Sequence, residues 1–550
     1  MKTMKRIMAL LICFVMVMGM TVTAFAYDVT INPNNTDKSE KHNYVAYQIF
    51  SGDLDTDGNK LSNIQWGTDI DQDKLSELRT AINSLAGNND LTESSTANKY
   101  AESIAKLNSD DTKVKKLAAA IGAALSNTTS GTSSATGVTD LNAGYYLIKD
   151  TGDLADENGA YTRFMLQVVK DTIVTQKASV PSVEKKVKDT VDSTNVTTNW
   201  QDSADYDIGD EVPFKLTATT ASTVSDYTKY HVTFQDKQLE GLDAPTDFTI
   251  EVLKQTLKLS SSATTASATT DKGTKITVEK VTTPEKGCTF AIKVTLENSD
   301  TEEKINEEAN GSAIIVKYNS KLNNNAAIGT TGNPNVVYLK YSNNPNSTDD
   351  SEEGKTPTDK VIVFTYEATV NKVDEENNSL EGAEFTLYKK VKTASNDKLG
   401  SAIAAALKNN NSSINTDGLK VDSYYEVVKQ TSSTVASFTW KGIDDGEYVL
   451  VETKIPDGYN AFVSKSFTVS AEHDTSSDDP KLKSLTVSDS TLLTADYSAG
   501  TLRGNIVNNS GSTLPSTGGI GTRIFYIIGG ILMAAAAVVL ITKARYKKEK

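Results

Sequence analysis

Apolar residues alternate with polar ones through most of the chain's interior. Tyr230, Val232 and Phe234 occupy every second position, as do Val337, Leu339 and Tyr341, and then Phe364, Tyr366, Ala368 and Val370. A period of two places each set on one face of a strand, so the pattern predicts half-buried β-strands. Three segments in the first third change to helical spacing: Leu75, Leu78, Ile82 and Leu85; Ile104 with Leu107; and Val114, Leu117 and Ile121. These predict helices inserted into a β-rich domain, separated by Asn- and Ser-rich loops. The expected fold class is mainly β, as tandem sandwich domains with the helical insertions confined to the N-terminal one.

The ends depart from both patterns. Lys2, Lys5 and Arg6 precede an apolar run from Ile7 to Met20, and Ala24-Phe25-Ala26 follows. This order predicts a signal peptide over 1–26 and a secreted protein starting at Tyr27. Near the other end, 524–542 is an apolar stretch of 19 residues. At 1.5 Å per residue it reaches about 28 Å, the thickness of a hydrocarbon core. The basic tail 543–550 is expected to stay in the cytoplasm. Between the ends, Pro181 opens a new charged stretch, and the polar segment 344–359 precedes a strand pattern from Val361 to Val370. The chain is therefore cut into domains 27–180, 181–358 and 359–510.

Composition narrows the chemistry. A formal charge of −15 over 550 residues disfavours a nucleic-acid partner, and losing both ends would take it to about −23. Only Cys13 and Cys288 are present, and Cys13 lies in the leader, so no disulfide framework is expected. The three histidines, His42, His231 and His473, have no metal-type spacing. No metal and no cofactor are expected.

Leu514-Pro515-Ser516-Thr517-Gly518, followed by the apolar stretch and the basic tail, resembles the cell-wall sorting signal read by sortases of Gram-positive bacteria. The resemblance implies that a sortase cysteine attacks the Thr517 carbonyl and splits it from Gly518. The chain would then be a substrate, not an enzyme, and peptidoglycan its anchor.

Glu447-Tyr448-Val449-Leu450-Val451-Glu452-Thr453-Lys454-Ile455-Pro456-Asp457-Gly458-Tyr459 resembles the Glu-bearing strand of collagen-adhesin B-type domains, which are immunoglobulin-like sandwiches. Val370-Asn371-Lys372 and Asn505-Ile506-Val507-Asn508-Asn509 match the same family's opening and closing segments. The resemblance implies an intramolecular isopeptide bond between Lys372 and Asn508, promoted by Glu452. Burial must lower the lysine pKa to give a neutral amine, and must keep the acid protonated to polarise the amide. Parity agrees: Lys372 shares the apolar face of Phe364 to Val370, and Asn508 shares that of Ile506, in preference to Asn509.

The middle domain resembles the collagen-adhesin A-type domain of sortase-assembled major pilins, which uses Lys, Asn and Asp. Val183, Lys185 and Val187 alternate inward, which selects Lys185 over Lys186. Asn343 extends the face of Val337, Leu339 and Tyr341, and Asp236 that of Tyr230 to Phe234, with Asp210 and Glu211 as competing acids. In the first domain, Leu141 to Ile148 is similar to a B-type strand without the matching Glu, so no bond is expected there.

Lys177, in Gln176-Lys177-Ala178, stands where major pilins carry the lysine that accepts the next subunit's threonine, although Pro and Asn usually flank it there. Lys170 and Lys186 are the alternatives. The function expected is the backbone subunit of a covalent surface pilus. It would be self-polymerised head to tail by sortase, with accessory pilins and host surface ligands as further partners. The alternative is a monomeric wall-anchored adhesin, which needs every feature except the acceptor lysine. A wall-anchored hydrolase is disfavoured, because no segment marks a catalytic pair of carboxylates.

Overall fold

The computed structural model describes residues 26–55, 57–107, 111–300, 303–346, 352–392, 398–430, 434–511 and 520–546. The signal-peptide expectation over 1–26 falls almost wholly outside them, as does the 514–518 motif. The body is a row of β domains followed by a long apolar helix.

The first domain is one sheet in the order Arg163–Val168, Gly144–Asp150, Tyr44–Leu54, Ser130–Ser134, Gly137–Leu141, Tyr27–Asn32, Thr172–Thr175, with Leu61–Trp66 beside Tyr44–Leu54. The helical segments form Leu75–Ala86, Ala97–Ala105 and Asp111–Ala123. Their apolar stripes (Leu78, Ile82, Leu117 and Ile121) pack with Ile49 and Leu147 of the sheet. A separate cluster holds Val29, Tyr44, Val138 and Ile148.

The middle domain is a sandwich. One sheet runs Gln255–Leu259, Phe248–Val252, Ala313–Lys321, Glu211–Thr219, Ser182–Val187. The other contains Asp359–Phe364, Asn333–Ser342, Lys229–Gln238, Phe290–Asn298 and Thr274–Lys280 in that order. Phe214, Phe234, Ile250, Ile292, Val316 and Leu339 fill the space between.

The third domain pairs a sheet of Ser437–Ile443, Tyr366–Val373, Thr501–Val507, Thr494–Asp496 with a second sheet centred on Glu384–Val391 and Gly446–Lys454. Phe385, Phe438, Trp440, Leu450 and Leu502 are buried between them. The helix Gly400–Asn410, unexpected from the pattern, rests Ile403 in a side cluster with Tyr388 and Ile414.

The boundary at 358 needs correction. Asp359–Phe364 pairs with Asn333–Ser342 and belongs to the middle sheet, and the third domain starts at Tyr366. Val361, Ile362, Val363 and Phe364 are all buried, so the run from 361 to 370 looked like one strand. It is two, broken at Thr365, whose hydroxyl donates to the Ile443 carbonyl (3.2 Å).

After the third domain, Ile520–Tyr546 is a single helix. Its stretch Ile524–Arg545 is long and apolar enough to cross a membrane.

Candidate functional site

In the third domain, Lys372 lies on the first strand and Asn508 one residue past the last. Those strands pair in parallel, with Lys372 opposite Ile506. The Lys372 ammonium donates to the carbonyls of Val373 (3.0 Å) and Ile506 (3.1 Å). The backbone N–H of Asn508 donates to the same Val373 carbonyl (3.1 Å), which sets the two residues side by side. Glu452 arrives from the opposite sheet. It accepts from Asn508 Nδ2 (2.8 Å) and from the Phe462 N–H (2.7 Å). All three side chains are buried, and Asn508 Oδ1 has no hydrogen-bond partner among the described residues. Burial lowers Lys372 to about 8, against the pull of Glu452, and raises Glu452 above the usual carboxyl range.

In the middle domain, Lys185 extends from one sheet toward Asp236 and Asn335 of the other. Its ammonium is 2.5 Å from Asp236 Oδ2 and 3.1 Å from the Tyr318 hydroxyl, and it also donates to Asn335 Oδ1. Tyr318 donates to Asp236 Oδ2 (3.0 Å), and Asn335 Nδ2 donates to Tyr318 (3.0 Å), which closes the cluster. Lys185, Asp236 and Asn335 are each 0% exposed. Burial pulls Lys185 down to about 8 despite Asp236, and pushes Asp236 up.

The amide beside Lys185 is therefore Asn335 and not Asn343. Both lie on the inward face of Asn333–Ser342 and its continuation, so parity could not separate them. Eight residues of strand put Asn343 roughly 26 Å further along. There Asn343 Nδ2 donates to the Leu154 carbonyl (3.1 Å), and the Asn343 carbonyl accepts from Tyr161 N–H (2.9 Å), joining the first and middle domains. Of the competing acids, Asp210 lies in a different group with Asp192, Asp207 and Asp444, and Glu211 is exposed. Tyr318 also escaped the sequence reading, although Ile314, Val316 and Tyr318 alternate inward.

The first domain has no buried lysine among its described residues. Its buried cation is His42, with Nδ1 2.6 Å from Asp150 and Nε2 3.1 Å from Asp37. Burial alone would lower His42, but hydrogen bonds to Asp150 and Asp37 outweigh it and raise the imidazole to about 9.

Asp37 also accepts from Gln176 Nε2 (2.9 Å), and that glutamine donates to the Ala160 carbonyl as well. Gln176 and Ala178 are buried on either side of Lys177, whose own side chain is exposed. Among the described residues Lys177 has no ion pair. It borders a groove of about 410 Å³ between the first two domains, with Arg163, Asp226 and Lys304 on the walls. Lys170 is exposed after the Arg163–Val168 strand. Lys186 is tied to Asp202 (2.5 Å) and Glu184 (3.4 Å). Leu514, Pro515, Thr517 and Gly518 lie outside the described residues.

Residues 366–481 match the SpaA prealbumin-like fold domain, and residues 506–550 the LPXTG cell wall anchor motif. The chain is 26% identical over 400 residues to the trypsin-resistant surface T6 protein of Streptococcus pyogenes serotype M6, covering 67% of this chain and 70% of that one. Among solved structures, it resembles the T6 backbone pilin of the same serotype at 16% identity and a TM-score of 0.46, over 88% of this chain and 98% of that one. The full-length major pilin SpaD of Corynebacterium diphtheriae gives 16% identity and a TM-score of 0.42, over 88% and 97%. With the apolar helix behind it, the anchor motif makes this a secreted, wall-anchored surface protein of tandem β domains.

Proposed function

We propose that the chain is the structural backbone subunit of a sortase-assembled pilus, and that each of its two distal domains closes an internal isopeptide bond. The carrying observation is the pair of buried lysine, acid and amide sets, built on unlike sheets, in a wall-anchored protein whose one described cysteine, Cys288, is free. In each, the neutral lysine amine attacks the side-chain amide carbon, the C–N bond to the amide nitrogen breaks, and ammonia leaves with the lysine proton. Asp236 supports Lys185 with Asn335, and Glu452 supports Lys372 with Asn508. A half-turn of the Asn508 amide would present its oxygen to protonated Glu452. Burial favours both uncharged partners, as the reaction requires.

Polymerisation uses Lys177. The Thr517–Gly518 bond of one subunit is cut, the sortase holds the Thr517 acyl group, and the Lys177 amine of the next subunit takes it. Buried flanks fix the backbone at Lys177 and leave its amine in solvent, which suits delivery to a bulky enzyme. Lys177→Arg tests this, since guanidinium stays protonated. It should abolish the ladder of SDS-resistant multimers in wall extracts while the monomer still reaches the wall. Lys170→Arg and Lys186→Arg should polymerise normally. A ladder that persists in Lys177→Arg moves the acceptor elsewhere, and no ladder in the parent makes the chain a monomeric wall-anchored adhesin.

A further inference from the structure

The junction of the middle and third domains holds a second kind of polar cluster, unrelated to the lysines. Asp189 follows the strand Ser182–Val187, and Asp205 ends Ser203–Asp205, both in the middle domain. His473 ends Lys465–His473 in the third. One carboxylate oxygen from each aspartate and one imidazole nitrogen lie within 4.8 Å of one another. His473 Nε2 is 3.8 Å from Asp189 Oδ2 and 3.7 Å from Asp205 Oδ1. Both gaps exceed a hydrogen bond. They suit two donors sharing one ion, since metal–ligand bonds of about 2.0–2.2 Å place ligand atoms roughly 3–4 Å apart.

The other ring nitrogen settles what Nε2 offers. His473 Nδ1 is 2.7 Å from the Ser203 hydroxyl, which lies 2.5 Å from the Asp474 carbonyl. A carbonyl has no proton to give, so the single hydroxyl proton goes to it, and Nδ1–H must donate to the serine oxygen. In the neutral ring this leaves a lone pair on Nε2, aimed between two carboxylates. Fixing a histidine tautomer through its far nitrogen is how metal-ligating histidines are oriented.

A second observation points the same way. Asp205 is 3% exposed, and its Oδ2 has no hydrogen-bond partner among the described residues. The buried Tyr366 hydroxyl, beside Asp205, also lacks one within ordinary hydrogen-bond distance. Asp445 adds a further negative charge nearby, and the Phe364 ring lies against His473 at 5.8 Å. Three carboxylates, of Asp189, Asp205 and Asp445, thus lie around one imidazole. An uncompensated carboxylate at such a depth is costly.

We propose that Asp189, Asp205 and His473 bind a divalent transition metal of the zinc class, which clamps the middle domain to the third. A nitrogen donor beside two carboxylates favours such an ion over calcium or magnesium, which take oxygen ligands. The histidine spacing that argued against a metal considered neighbours in sequence, whereas Ser203 and His473, in contact here, are 270 residues apart.

The test uses the full chain, stripped with a chelator and titrated with zinc chloride in a calorimeter. One saturable site per chain is expected, with proton release seen as a heat that changes with the buffer. His473→Gln and Asp205→Asn should each weaken binding by roughly 100-fold. Asp210→Asn, in the neighbouring carboxylate group, should leave it unchanged. Cobalt gives an independent signal, since its visible absorption should appear in the parent and vanish in His473→Gln. If His473→Gln folds poorly, Asp189→Asn takes its place. Absence of a saturable site in the parent, unaltered binding in the ligand variants, or binding of calcium in preference to zinc overturns the proposal. In the first case, a protonated His473 paired with both aspartates accounts for the cluster.

Discussion

The first domain fastens its buried charge in one way, and the two that follow it in two. His42 sits between Asp37 and Asp150 as an ion pair that any proton exchange can undo. Lys185 and Lys372 each sit beside an acid and an amide, where the proposed chemistry turns a costly buried charge into a neutral amide once and permanently. The proposed polymer gives a reason. Tension that enters at Lys177 and leaves at Thr517 passes through the middle and third domains and bypasses the first. Along that path the two proposed bonds would add a covalent fastening to reversible ones such as Lys389 with Asp207, whereas the described residues of the first domain show the reversible kind. The two proposed bonds also differ in direction. One would join sheet to sheet across a core, and the other the first strand to the last within one sheet.

The most direct way to break this comparison is Asn335→Ala. It should restore about 17 Da to a chain otherwise about 34 Da lighter than its sequence, one ammonia per bond. It reopens a loop of 150 residues, worth about 5 kcal/mol, and should lower the middle-domain melting temperature by roughly 10–20 °C. A parent mass equal to the unmodified sequence would remove both bonds at once.

Asn508→Ala should cost about 4–5 kcal/mol in the third domain, again with one mass increment, and should expose that domain to trypsin. Glu452→Ala should give the same mass if its role is to promote the reaction. A normal, lightened mass in Glu452→Ala would take that role away.

The pH dependence sharpens the contrast. His42 is raised from 6.5 to about 9 in the folded state, so its stabilisation is complete below about pH 6.5 and is lost as pH rises through 9. The first domain should lose about 3 kcal/mol over that interval. Melts of the full chain should show this transition moving down over that interval, and His42→Gln should flatten it; a first-domain melt that stays put, or that moves equally in His42→Gln, would dissolve the distinction.

The smallest effect is expected from Asn343→Ala. It should leave the mass unchanged and cost about 1 kcal/mol, the value of one buried hydrogen bond at the domain junction.

Period-two alternation made the faces readable: among the residues that the family resemblance offered, Lys185, Asp236, Lys372 and Asn508 could be preferred because each extends an inward row. It could not tell Asn335 from Asn343, since parity specifies a face and says nothing of distance along it. The break at Thr365 was hidden because strands buried on both faces lose their alternation. Lys389 went unnoticed for a related reason. It is almost fully buried, 2.5 Å from Asp207 and also bonded to Asp192 and Asp444, and those partners come from loops of two domains that no local pattern links. The helices of the first domain were legible from their stripes. Gly400–Asn410, with few buried positions and an alanine-rich sequence, offers little stripe to read.

Asp359–Phe364 and Tyr366–Val373 are separated by one residue, each hydrogen-bonded into a different domain. A flexible tether between domains would act as slack, taken up before any resistance is felt. Here the spacer is Thr365 alone, itself hydrogen-bonded. Two folded bodies joined this way share a rigid splice, so a filament built from them bends by flexing its domains and transmits a pull at one end to the other without first uncoiling.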